Sequence, residues 1–162
     1  MNQNPTIVLS PMPEEQFAAY LESSVIAYAE DNVESGRWPR EGALERSRAD
    51  FRHSLPQGLA TPDHHVCEIL DEATSRAVGV LWFAVVEKQG IRSAFVYDVM
   101  IHPAHRRKGY AKAAFGELEA MVRTMGLTTI GLHVFAHNSG AQALYKSLGY
   151  NVTGMNMKKD LR

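Results

Sequence analysis

The stretch HRRKGYAKAA, residues 105–114, sets three cationic side chains directly before a glycine and a run of helical spacing. The first backbone N–H groups of a helix have no intrahelical partner, and the helix dipole is positive at that end. Gly109 carries no side chain, so an oxyanion can approach the backbone closely. Arg106, Arg107 and Lys108 add mobile charge, and the combination suits a pyrophosphate. Alone, the pattern equally describes a solvated basic loop. It is neither a Walker loop nor a GxGxxG fingerprint. The second chemical stretch is LHVFAHNSGAQALYKSLGY, residues 132–150. Asn138 stands where a helix N-cap is wanted. Tyr145 follows seven residues later, two turns down one face, where it serves either as core or as a proton donor.

These residues need elements to position them. TIVL (6–9) reads as a strand. A helix begins near Pro13 with two acids in its first turn, and Phe17, Tyr20, Leu21, Val25 and Tyr28 keep its apolar spacing. SGRWP interrupts, and a second helix carries Leu44, Ser47, Phe51 and Leu55 on one side. Strands are expected over 65–71, 77–87 and 91–101, and residues 78–86 are apolar on both faces, as in a central strand. Helical spacing returns from 109 to 125, closed by Gly126. TTIGLHVF is a strand, NSGAQALYKSL a helix closed by Gly149, and YNVTGMNMKK a last strand. The order β-α-α-β-β-β-α-β-α-β describes an α/β (α+β) chain with about six strands and about four helices. The basic segment then lies between the end of a strand and the start of a helix.

Composition narrows the function classes. The chain has 162 residues, 45% hydrophobic and 22% charged, which suits one domain over 1–162 with a sizeable core. No internal repeat or low-complexity linker divides it. A net charge of -1 argues against a general nucleic-acid binder. No apolar run reaches the roughly 20 residues of a membrane span, and the N-terminus lacks the pattern of a signal peptide. The single cysteine, Cys67, excludes an internal disulfide and fits a cytoplasmic protein. The pairs His64/His65, His102/His105 and His133/His137 lack cysteines or an acidic cluster at ligand spacing in the chain, so no metal is expected.

Taken together, Arg106-x-x-Gly109-x-Ala111 after a strand and V-x-x-x-N-x-x-A-x-x-L-Y-x-x-x-G-Y at 134–150 resemble the GNAT superfamily of acyl-CoA-dependent N-acyltransferases. The likeness extends over the element order of the whole chain, and to a bacterial subgroup with LHVFxHN in the fifth strand. It implies a mixed sheet splayed in the middle, with helices on both faces and acetyl-CoA lying between the fourth and fifth strands. The pantetheine arm would pair with the backbone of Val99, Met100 and Ile101 as an extra strand does. Arg106, Arg107, Lys108, Gly109, Tyr110, Ala111 and Lys112 would hold the pyrophosphate, Asn138 would contact the cofactor, and Tyr145 would face the thioester sulfur. The activity implied is direct transfer of acetyl to a primary amine, with CoA as product. A phenol, with a reference pKa of about 10, can return a proton to the departing thiolate.

Two departures from the family pattern matter. Position 107 is Arg where the family commonly has Gly. The position where many relatives carry a glutamate base falls on Tyr97, and Asp98 beside it is expected on the opposite face. Asp98, His133 and a water relay all remain candidates for the base. The resemblance places the acceptor beside YAEDNVESGRW (28–38). There Glu30, Asp31 and Glu34 stand near a helix end where the dipole disfavours acids. Tyr28, Glu30, Glu34, Trp38 and His133 are the candidate acceptor-binding residues, fitted to a small cationic amine or peptide amine. No nucleic-acid or membrane partner is expected, and a homodimer is left open. The competing reading is an acyl-CoA-binding module without turnover.

Overall fold

The computed structural model describes residues 4–161. Five strands form one sheet in the order β1 (Ile7–Pro11), β2 (His64–Asp71), β3 (Ala77–Lys88), β4 (Ile91–Ile101) and β5 (Ile130–Leu132). Neighbours are antiparallel except β4 and β5, which are parallel. Helices α1 (Glu14–Glu34) and α2 (Ala43–Ser54) follow β1, α3 (Tyr110–Thr124) links β4 to β5, and α4 (Ser139–Ser147) follows β5. None of these helices is long and apolar enough to cross a membrane.

The alternation of β3 builds two cores. Val80 and Trp82 join Phe17, Tyr20 and Leu55 on the α1/α2 face. Leu81 and Phe83 join Ala94, Val96 and the buried stripe of α3 (Ala114, Phe115, Leu118, Val122) on the other. Each large side chain so buried contributes about 1.5–3 kcal/mol. Helices α1 and α3 start where expected. Helix α2 stops at Ser54, one residue short of Leu55, which still packs into the core.

Two expectations about strands are corrected. Among the described residues the sheet has five strands rather than about six, because residues 150–159 take no part in it. A strand exists only against a neighbouring edge, and this segment meets none. The fifth strand is three residues long instead of spanning TTIGLHVF, because β5 finds partners on β4 only at Ala94, Phe95 and Val96.

Candidate active site

The ladder between β3 and β4 explains that early parting. Trp82 pairs with Asp98 but Phe83 pairs with Val96, so Tyr97 is an extra residue, a β-bulge. Before the bulge β4 is flanked by β3 and β5; after it only β3 remains. Val99, Met100 and Ile101 therefore present a free backbone edge on the side that β5 has left. The bulge also resets the faces. Tyr97 stacks on Trp82 at 4.7 Å and 15°, while Asp98 Oδ2 accepts a 2.8 Å hydrogen bond from the Tyr20 hydroxyl of α1. Both side chains thus lie on the α1/α2 face, and the expectation that Asp98 points away from Tyr97 is corrected. Beyond them Val99 and Ile101 pack toward α3 and Met100 toward α1.

Burial raises the Asp98 pKa above the ordinary carboxylate range, and the Tyr20 hydrogen bond offsets part of that rise. The same burial holds the Tyr20 phenol well above its usual value. Tyr20 was legible only as core, although a buried tyrosine hydroxyl normally finds a partner. A carboxyl whose pKa is raised by folding supplies stability in full below its unfolded pKa. That stability is lost as pH rises through the folded value. Asp98→Asn keeps an oxygen for Tyr20 and removes this loss. Its melting temperature is expected to exceed that of the parent at neutral pH, and the gap is expected to close in acid. Thermal melts at about pH 4 and about pH 8 check this; a less stable Asn variant at the higher pH would contradict a strained carboxylate.

Tyr145, half-buried on α4, makes edge contacts with Phe115 at 5.5 Å and packs against Tyr150 at 5.8 Å. Burial first, and then the charge of Asp98, raise its pKa. Asp98 and Tyr145 therefore sit within electrostatic reach of each other, from β4 and α4 respectively. Asn138 caps α4, its Oδ1 accepting from the Ala141 N–H at 3.1 Å.

The basic loop is shaped by two left-handed residues, Arg107 (φ 65°) and Gly109 (φ 86°). Arginine at 107, where the family commonly has glycine, carries a conformational cost of about 1–2 kcal/mol. Arg106 Nε donates to the Ile101 carbonyl at 3.0 Å, tying the loop to the end of β4. Lys108 Nζ donates to the Ala104 carbonyl at 3.4 Å. The N–H groups of Tyr110, Ala111 and Lys112 precede the intrahelical bond from Ala113 N to Gly109 O, so they are available to an anion. The Tyr110 side chain turns inward and donates to Asp71 Oδ2 at 2.6 Å; only its backbone faces the loop.

At the other end of α1, Tyr28 lies among Trp38 (5.5 Å), Phe51 (6.0 Å) and Phe135 (6.3 Å). Glu30 does not join this group: its carboxylate is engaged by Arg40 at 3.0 Å. Glu34 does, through His137, whose ring stacks on Phe135 at 5.6 Å. His137 Nε2 lies 3.1 Å from Asp31 Oδ1 and 3.5 Å from Glu34 Oε2, closing the β5–α4 loop onto α1. An acidic pair thus accompanies this histidine in space, although none does in sequence, and the three donors lie within 4.8 Å of one another. His133 instead edges Phe135 at 4.9 Å. Burial and the Arg37 charge lower its pKa, which favours the neutral imidazole.

Comparison with known proteins matches this arrangement. Residues 25–150 fit the model of the Acetyltransferase (GNAT) family. The chain is 40% identical over 157 residues to YycN of Bacillus subtilis, an uncharacterised N-acetyltransferase, covering 96% of this chain and 99% of YycN. It is 34% identical over 153 residues to a second such protein of that organism, YdgE, covering 94% and 97%. The crystal structure of YycN, a putative acetyltransferase, superposes with a TM-score of 0.90 at 39% identity over 97% of this chain and 99% of that one. A putative acetyl transferase from Pyrococcus furiosus superposes with a TM-score of 0.67 at 25% identity over 96% and 99%. With a family match over residues 25–150 and relatives of 34–40% identity along nearly their whole length, the chain belongs to the GNAT family of acetyltransferases.

Proposed function

We propose that the protein is an N-acetyltransferase that moves acetyl from acetyl-CoA directly to a primary amine in a ternary complex. The observation that carries this reading is the bulge at Tyr97. It frees the edge of residues 99–101 at the point where Asp98 and Tyr145 come into electrostatic reach. The residues fit the substrate. The free edge offers backbone donors and acceptors to the amides of a pantetheine arm, and the α3 N-terminus with Arg106 and Lys108 offers a pyrophosphate site.

Each chemical need has a residue. The amine must be neutral to attack, and Asp98, its pKa raised above the usual value by burial, accepts the proton directly or through one water. A backbone N–H at the free edge polarises the thioester carbonyl. Tyr145, whose raised pKa keeps it protonated, returns a proton to the leaving thiolate. No covalent enzyme intermediate is needed, and Cys67, buried with its pKa pushed up to about 11, is a poor nucleophile.

The acceptor we favour is a small cationic amine or a basic peptide amine. Its charge would be met by Asp31 and Glu34, and its carbon skeleton by Tyr28 and Trp38. A panel of cationic, neutral and acidic amines, read by free-thiol release from acetyl-CoA, tests this. Cationic amines are expected to lead. Glu34→Gln should raise the acceptor KM roughly 2- to 5-fold, the scale of one exposed charge contact, and leave the acetyl-CoA KM unchanged. A panel led by acidic amines would sink the acceptor assignment. Binding of acetyl-CoA with no thiol release from any amine would favour the binding-module alternative.

A further inference from the structure

The basic loop turns through two left-handed residues, Arg107 and Gly109. Such a shape persists only where its surroundings hold it. Of the side-chain hydrogen bonds made by residues 105–112, among the described residues, two are local. Arg106 reaches back to Ile101 and Lys108 to Ala104. They fix the start of the loop to the end of β4. Its far end, where α3 begins, is held differently. The Tyr110 hydroxyl donates to Asp71 Oδ2 at 2.6 Å, across 39 residues of chain, at the last residue of β2.

Asp71 is a firm anchor. Its other carboxylate oxygen accepts from the Ala73 N–H at 2.9 Å. Its backbone closes the β2–β3 turn, donating to the Arg76 carbonyl and accepting from the Ser75 N–H. One carboxylate thus spans the turn and the start of α3. The Tyr110 bond holds the Asp71 carboxyl below its usual pKa, so it stays charged at neutral pH, and a hydroxyl bound to a charged oxygen makes a short, strong bond. The Tyr110 ring is buried in the core beneath α3, and His105 of the loop meets it edge-on at 6.1 Å. The backbone N–H of this same tyrosine is one of those left open to an anion. One residue therefore carries the contact to the strand and an N–H that faces the loop.

We infer that Tyr110 and Asp71 are positioning residues for the cofactor: their hydrogen bond sets the angle at which the first N–H groups of α3 meet the pyrophosphate, and it couples that site to the β2–β3 turn at 71–76. The inference rests on reading residues 106–112 as the pyrophosphate site. Coupling between two sites is reciprocal. A ligand that needs the start of α3 in place favours the intact bond, and the intact bond steadies the turn. CoA binding at the loop is therefore felt at Ala73, whose N–H shares the Asp71 carboxylate with Tyr110.

The test is calorimetry with CoA together with amide hydrogen exchange at the turn, neither of which depends on turnover. Tyr110→Phe keeps the ring in the core and removes the hydroxyl. CoA affinity is expected to fall about 5- to 10-fold, the lower range of coupling between sites, while kcat at saturating acetyl-CoA stays unchanged. In an Asp71→Ala background the same substitution should cost no further affinity, because the partner is already gone. CoA should slow exchange of the Ala73 amide in the parent and leave it unaltered in Tyr110→Phe. A tyrosine that merely stabilised the fold would lower the melting temperature and move none of these. Equal CoA affinity for parent and Tyr110→Phe, the same loss in both backgrounds, or an Ala73 amide indifferent to CoA in the parent would each overturn the inference and leave the pyrophosphate site standing. A parent that does not bind CoA would remove the site and the inference together.

Discussion

Tyr145→Phe is expected to lower turnover by roughly 10²–10⁴, the range for loss of a general acid, with little change in acetyl-CoA affinity. The substitution keeps the ring and its 5.5 Å edge contact with Phe115, so the fold should be unaffected. What disappears is a proton that burial and Asp98 hold on the phenol. A departing thiolate must then take its proton from water. The readout is kcat with a good acceptor beside the dissociation constant for acetyl-CoA. An unchanged kcat in single-turnover conditions would place the acid elsewhere.

Gly109→Glu is expected to weaken CoA and acetyl-CoA binding by roughly 100-fold or more, two factors of ten at about 1.4 kcal/mol each. Two effects combine. The backbone at φ 86° is strained for any side chain, and a Cβ there would lie 3.3 Å from Pro5 Cδ. A carboxylate would also stand in front of the free N–H groups of α3, where the proposed anion sits. Gly109→Ala carries the strain without the charge, so the difference between the two variants isolates electrostatics. Calorimetry of the parent should show affinity falling as salt rises. Equal affinity for parent and Glu variant would remove the phosphate site from this loop.

The parts of the fold written as spacing were legible in advance. Phe17, Tyr20 and Val25 on α1, and Ala114, Leu118 and Val122 on α3, mark their buried faces at helical intervals, and the strand-loop-helix setting of Arg106–Gly109 followed from them. The bulge was not legible, because FVYDVMI reads as an unbroken strand and an inserted residue leaves no compositional mark. The partnership of Tyr20 with Asp98 spans 78 residues and that of His137 with Asp31 spans 106, distances over which periodicity says nothing. The 150–159 segment differs for another reason: its composition suits a strand, but a strand also needs a paired edge, and this segment joins none, the open edge of β5 included.

The extra residue at position 97 also says something about how such a slot persists. A deletion there would let β4 run in register to its end and leave β5 free to zip along it. The repaired sheet would gain hydrogen bonds of its own and lose the edge that a ligand needs. Regularity and recognition compete for the same backbone groups. Screens that reward thermal stability alone would therefore drift toward healing this strand, and would select against the vacancy at its end.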